Sequence, residues 1–178
     1  FTHLDFHQHA KEFGKFGGYA HLKTVIDQLR HDADDNSLLL DGGDTWQGSG
    51  LSLLTNGMDM VEASNILGVD VMTGHWEFTY GEKIFLENLK KFNGDFVAQN
   101  ISLTEEALFD GIEPVDDSNH FQKPYVIKTI NNQRVAVIGQ AFPYTPIANP
   151  GRLIPNLTFG IRDNELQELI DLIKDKED

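Results

Sequence analysis

Val69-Asp70-Val71-Met72-Thr73-Gly74-His75-Trp76-Glu77-Phe78-Thr79-Tyr80-Gly81 is the stretch that decides the fold. It opens as a short apolar run and closes as a glycine-bounded loop carrying His75, Trp76, Glu77 and Thr79. A short continuous apolar run followed by glycine predicts a strand buried on both faces that runs out into a loop. The loop therefore presents an imidazole, an indole, a carboxylate and a hydroxyl at the end of a strand.

Working outward, the same grammar repeats on both sides. Ser37 to Leu40 is a second short apolar run, closed by Asp41-Gly42-Gly43-Asp44. Gly17 to His31 before it predicts a helix, with Ala20, Leu22, Val25, Ile26 and Leu29 giving an apolar stripe. Gly57-Met58-Asp59 opens another helix that runs to about Leu67 and stops at Gly68. Glu82 to Phe92 is a third amphipathic helix, ending near Asn93-Gly94, and Phe96 to Ala98 is a third strand. Strand and helix in alternation imply a parallel sheet covered by helices, an α/β fold. Ligand sites in such sheets form beyond the carboxyl ends of the strands. The Asp44 and His75 loops both occupy that position, so they are expected to converge.

The second half is less regular. Thr104 to His120 is acidic and is expected to be an irregular surface excursion. Tyr125 to Ile130 and Arg134 to Ile138 predict a hairpin turning at Asn131-Asn132. The Pro-rich segment from Gln140 to Pro150 follows the second of these strands; it reads as a stiff connector in preference to a substrate contact. Leu166, Leu169, Ile170 and Ile173 mark a last helix.

Composition narrows the class. The chain has 178 residues, 28 acids against 14 bases and a net charge of −14, which argues against nucleic acid as a partner. An anionic substrate fits only if a metal supplies local positive charge. The absence of cysteine excludes thiolate ligands and a cysteine nucleophile. There is no run of 18 apolar residues to cross a membrane. The chain starts at Phe1 and reads as a piece of a longer protein.

Asp44 and His75 are candidate metal ligands, although read alone the first fits a turn or helix cap and the second a satisfied polar residue. A carboxylate in a tight Gly-rich loop can bridge two cations with its two oxygens. An imidazole is a strong donor to Mn, Zn or Fe. Glu77 is expected to fix the loop by accepting backbone N–H bonds. Trp76 and Thr79 are candidate substrate contacts. Trp76 cannot transfer protons and read alone is a packing residue beside the loop; it marks a leaving group that needs no acid only if it replaces a general acid, as the resemblance below implies. His3, His9, His21, His31 and His120 are read as structural or exposed.

Gly74 to Gly81 resembles the G-N-H-E-F-D-x-G signature of dinuclear metallophosphoesterases, and Asp41 to Gly48 resembles their G-D-x-x-Q-G block. The variant Gly74-His75-Trp76-Glu77-Phe78-Thr79 is similar to that of the SoxB sulfohydrolases of bacterial thiosulfate oxidation. So are Gly17-Gly18-Tyr19-Ala20-His21-Leu22-Lys23-Thr24 and the block from Ile138 to Pro150. The resemblance spans almost the whole chain. It implies part of a calcineurin-like α/β/β/α sandwich, incomplete at both ends. Residues 1–178 would be a single partial N-terminal domain, without the end of the catalytic domain or a 5′-nucleotidase-type C-terminal domain.

The resemblance also implies a bridging role for Asp44, a metal-binding role for His75 where the superfamily has Asn, and Trp76 where it has the catalytic His. It implies two Mn²⁺ ions, with Zn²⁺ or Fe²⁺ as alternatives, and a periplasmic hydrolase. That enzyme would release sulfate from a cysteine S-thiosulfonate adduct on the SoxYZ carrier. The alternatives are a 5′-nucleotidase-type phosphoesterase and a non-catalytic relative that binds the carrier. Asp5-Phe6-His7 matches the superfamily's D-x-H motif, yet the favoured reading makes it coincidence, with the true motif before residue 1. Downstream His blocks are missing, so the 178-residue span alone is expected to be inactive and to bind Mn²⁺ weakly.

Overall fold

The structure, a computed structural model, describes residues 18–177. Asp5, His7 and the start of the predicted first helix at Gly17 lie outside the described residues. Helix α1 is Tyr19–Asp32, followed by β1 at Leu40–Asp41. Then come α2 at Gly50–Thr55, α3 at Met58–Leu67 and β2 at Val71–Met72. A 3-10 turn at Glu77–Tyr80 leads into α4 at Glu82–Leu89 and β3 at Asp95–Phe96.

The three strands pair in parallel in the order β1-β2-β3, with Leu40 opposite Val71 and Met72 opposite Phe96. The expected parallel α/β sheet is therefore present. Both signature loops leave the carboxyl ends of neighbouring strands. Arg30 near the end of α1 locks this region, donating to Gly68 O at 2.8 Å and to Asp70 Oδ2 at 2.7 Å. The same Asp70 oxygen accepts Leu39 N–H at 2.8 Å, so one carboxylate joins helix and strands.

One expectation for this sheet fails. The first strand is shorter than Ser37–Leu40 and shifted, and it is not buried on both faces: Leu40 is 56% exposed. β1 is the outer strand of the order, and among the described residues no strand pairs on its far side. An outer strand has only one covered edge, so its apolar run need not be interior.

The core beneath the loops is aromatic. Trp46, Phe78 and Phe85 are fully buried. Trp46 lies 6.0 Å from Phe85 and 5.5 Å from Phe92, the latter edge-on. Phe85 also meets Phe78 at 4.6 Å and Phe96 at 5.0 Å. Tilted and edge-on pairs at these separations are the favoured aromatic geometries. Truncating a central ring such as Phe85 would cost about 3–5 kcal/mol.

The second half departs from expectation in its pairing. β4 at Ile101–Leu103 runs antiparallel to β7 at Leu157–Phe159, a sheet not legible from the sequence. The region 104–120 is not wholly irregular. It starts with α5 at Glu105–Phe109, capped by Thr104 Oγ1 on Ala107 N–H, and returns to bridge Ser102 with His120. His120 is buried, its Nδ1 2.7 Å from Asp116 Oδ2, which makes it structural as expected. The hairpin is β5 at Tyr125–Ile130 and β6 at Gln133–Ile138. Asn131 and Asn132 both have positive φ, 48° and 59°, the mirror-image turn that fits the twist of a hairpin. A short α6 at Thr145–Ala148 precedes β7, and α7 at Asp163–Glu177 closes the described chain.

Candidate functional site

Asp44 reaches its position through strained backbone. Gly43 has φ +88°, and a Cβ there would meet His75 N and Thr73 O at 2.8 Å. The residue must be glycine because the second loop's backbone lies against it. Asp44 itself sits in the left-handed region at φ 65°. Aspartate tolerates that region better than most residues, and such outliers persist only where the surroundings enforce them. Its carboxylate is exposed and accepts a hydrogen bond from Gln47 Nε2.

The enforcing element is Glu77, which is only 1% exposed. Its Oε1 accepts the N–H of Thr45 at 2.7 Å and of Trp46 at 3.3 Å. Its Oε2 accepts the N–H of His75 at 2.7 Å. One carboxylate thus accepts backbone N–H bonds, as read from the sequence, and does so from both the Asp44 loop and the His75 loop, which the sequence did not reveal. Burial pushes its carboxyl upward from the usual range, and the N–H bonds from His75 and Thr45 pull it back.

Tyr19 and Asp41 flank the same place. Burial raises the Asp41 carboxyl, opposed by the Thr45 hydroxyl and the Gly43 N–H. Thr45 Oγ1 donates to Asp41 Oδ2 at 2.8 Å. Burial, with the negative Asp41 beside it, pushes the Tyr19 phenol up to about 12 against the opposing Thr45 hydrogen bond. Sequence reasoning missed both roles. The nearest signal was the position of Asp41 at the close of the apolar run.

His75 is half-buried, and its Nδ1 is buried with no hydrogen-bond partner among the described residues. A neutral imidazole carries one donor and one acceptor, and leaving either buried and unmet is costly. A lone pair in that position is a fitting donor for a cation. Asp44 and His75 are thus two donors of the right kind on adjoining loops. Among the described residues no group of three His, Cys, Asp or Glu converges to hold a metal. The described part of the chain fits one side of a metal centre.

The two candidate substrate contacts take different positions. Trp76 lies beside His75, ring centroids 6.0 Å apart. Thr79 is exposed on the 3-10 turn, its Oγ1 3.4 Å from Asn149 Oδ1. That contact belongs to an arrangement the sequence did not reveal. The segment from Gln140 to Pro150 is more than a connector, because it docks on the His75 loop. Phe142 N–H donates to Gly74 O at 3.0 Å, and Thr145 Oγ1 reaches His75 O at 3.5 Å. The Phe142 ring stacks on His75 at 4.5 Å and 29°.

No family model matches the chain. Among curated proteins it is 32% identical to the 5′-nucleotidase of Bos taurus over 161 residues, 89% of this chain and 26% of that protein. It is 30% identical to the snake venom 5′-nucleotidase of Naja atra over 179 residues, 96% of this chain and 32% of that protein. Among solved structures it is similar to the Thermus thermophilus sulfate thiohydrolase SoxB in complex with glycerol. That likeness has a TM-score of 0.82 and 33% identity, covering 98% of this chain and 31% of the other. A 5′-nucleotidase precursor from Thermus thermophilus shares the fold with a TM-score of 0.74 at 24% identity, covering 92% and 30%. The chain spans about a quarter to a third of the length of these proteins.

Proposed function

Starting from a chain that belongs to the 5′-nucleotidase/metallophosphoesterase superfamily, we propose a dinuclear-metal hydrolase of the SoxB type. The whole protein would release sulfate from a cysteine S-thiosulfonate adduct on a SoxYZ-type carrier, in the periplasm. Residues 1–178 would form the first part of its catalytic domain, with further ligands supplied from elsewhere in the protein.

In this reading Asp44 and His75 would be among the ligands of two cations, Mn²⁺ by the same likeness. Bound cations would neutralise charge on the sulfonate oxygens and make water a stronger nucleophile. Water adds to the terminal sulfur while the sulfur–sulfur bond breaks. The carrier sulfur leaves as a persulfide anion with the bonding electron pair, and sulfate and protons are released. Glu77 keeps Asp44 and His75 in register throughout. Trp76 walls the site without donating a proton, which a persulfide leaving group does not require.

Trp76 is the observation that carries the reading. Its ring sits 6.0 Å from His75, on the loop that Glu77 fastens to Thr45, and it has no titratable proton. No helix among the described residues is long and apolar enough to cross a membrane.

The second reading is a 5′-nucleotidase-type phosphoesterase, favoured by the 32% identity to the bovine enzyme. The full-length protein, loaded with Mn²⁺, separates the two when offered an S-thiosulfonate carrier peptide and AMP in parallel. Sulfate without phosphate is the expected result. Phosphate from AMP without sulfate would give the nucleotidase reading the lead.

A further inference from the structure

Phe142 has a task that neither the fold nor the reaction above accounts for. Its ring lies against the His75 imidazole, centroids 4.5 Å apart and planes 29° off parallel, 67 positions along the chain by residue number (142 − 75). The backbone that carries the ring is held at three points. Ala141, the residue before it, exchanges two hydrogen bonds with the fully buried Asn100, at 2.7 and 2.8 Å. Phe142 N–H donates to Gly74 O at 3.0 Å, the residue before His75. Its own carbonyl accepts Thr145 Oγ1 at 2.7 Å, and Thr145 is fully buried. Support of this kind fixes where the ring stands, as an oriented site needs.

The consequence falls on His75 Nδ1, which is buried and has no hydrogen-bond partner among the described residues. An imidazole free to turn about its Cβ–Cγ bond would bring that nitrogen to water or to a neighbour, because an unmet buried polar atom is costly. The stacked ring opposes that turn. A metal-bound imidazole is also electron-poor, and an aromatic face beside it is favourable.

We propose that Phe142 is the positioning residue of His75, holding the imidazole so that the Nδ1 lone pair stays inward and available to a divalent cation. The inference rests on His75 being a metal ligand and adds which nitrogen binds and what holds it. Hydrogen-bonded outer partners of metal-bound histidines govern affinity on the order of 10- to 100-fold by fixing the ring, and a stacked ring that fixes the same orientation acts in the same direction.

The test uses the full-length protein, with Mn²⁺ binding read from the electron paramagnetic resonance signal of free Mn²⁺. Phe142→Leu keeps the apolar volume without the flat face. It is expected to melt close to the wild type and to lose Mn²⁺ affinity by on the order of 10-fold. Phe142→Trp restores a ring and should recover most of that loss. Wild-type affinity in Phe142→Leu, with His75→Ala impaired, would overturn the inference and leave the ligand assignment standing. Wild-type affinity in His75→Ala would instead remove the ligand assignment itself. Nitrogen-15 spectra of the imidazoles in the wild-type protein stripped of metal, with His75→Ala to assign the signal, give a readout that needs no folded Phe142 variant. Nδ1 unprotonated supports the inference, and Nδ1 protonated overturns it.

Discussion

Glu77 Oε1 accepts the backbone N–H of Thr45 at 2.7 Å, across 32 positions of sequence. The other oxygen of the same carboxylate accepts His75 N–H at 2.7 Å. A loop on one strand end is thereby fixed against a loop on the next. Parallel strands place their carboxyl ends side by side, but the loops beyond them have no ladder to join them. A buried carboxylate can serve as that join because both its oxygens accept and neither must donate.

Glu77→Gln is the sharpest test of the join. The amide keeps one acceptor and turns an NH₂ group toward an N–H that needs one. Each backbone donor left unmet in a buried site costs about 1–3 kcal/mol. Urea denaturation should show a lower midpoint with an unchanged slope. A midpoint equal to the wild type would mean the loops hold together by other contacts.

Gly43→Ala tests the close approach of the loops. Its Cβ would stand 2.8 Å from His75 N and from Thr73 O, in backbone at φ +88°. Backbone groups cannot swing aside as a side-chain tip does, so the loops must part. The expected loss is about 1–3 kcal/mol of stability, together with weaker metal binding. The neighbouring Gly42→Ala is the control, because nothing lies within 4 Å of a Cβ there. Equal effects at the two positions would remove the steric argument.

Asn100→Ala tests how the second docking segment is held. Asn100 is fully buried and serves Ala141 N–H, Ala141 O and Gly160 O. Removing it leaves those groups without partners, a loss of about 2–4 kcal/mol. Asn100→Asp keeps the acceptor for Ala141 N–H and sets a carboxylate against the two carbonyls. It should be no better than alanine in a thermal melt; rescue by aspartate would show that the two carbonyl contacts contribute nothing.

Tyr19 makes a prediction in pH. Its phenol is pushed up to about 12, first by burial and then by Asp41, against an ordinary value of about 10. A raised pKa means that the folded state favours the protonated phenol. The stability this confers is complete below pH 10 and is lost as the pH rises through about 12. Absorbance at 295 nm, comparing wild type with Tyr19→Phe, should show that the missing phenol is one that titrates late. A difference centred near pH 10 would contradict the half-buried placement of Tyr19 beside Asp41.

The longer helices and the hairpin were legible because local chemistry specifies them, whereas the short helices at Gly50–Thr55, Glu105–Phe109 and Thr145–Ala148 were not. Gly68 stops α3 in the left-handed region at φ 79°, and Asn131-Asn132 supply two positive φ values. That Glu77 fixes its own loop through backbone N–H bonds was readable, but its reach to Thr45 and Trp46 on the other loop was not, because nothing local marks that partner. β4 and β7 were not readable. Each has only three residues, too few for a period, and their pairing joins Ile101 to Phe159 across the sequence. The stacking of Phe142 on His75 was hidden for the same reason: nothing local marks which ring will meet which imidazole. Leu40 misled because an apolar run reads alike in an outer strand and in a central one.

The double variant Trp76→His with Thr79→Asp tests whether the loop's chemistry, rather than its fold, separates sulfur from phosphate substrates. Both positions tolerate change structurally, since Trp76 is only half-buried and Thr79 is exposed. Neither side chain belongs to the Glu77 staple, so Asp44 and His75 should keep their register. An alkoxide leaves poorly as an anion, and a positioned acid contributes about 10²–10⁴-fold to such a reaction. The variant in the full-length, Mn²⁺-loaded protein should therefore gain phosphate release from AMP by at least about 10²-fold over its parent. Sulfate release should change far less, because a persulfide leaves without a proton. Trp76→His alone should gain less than the pair, since an unoriented imidazole samples wrong rotamers and tautomers. If the double variant gains nothing on AMP while still binding Mn²⁺ as its parent does, substrate choice resides outside this loop, and Trp76 is a packing residue.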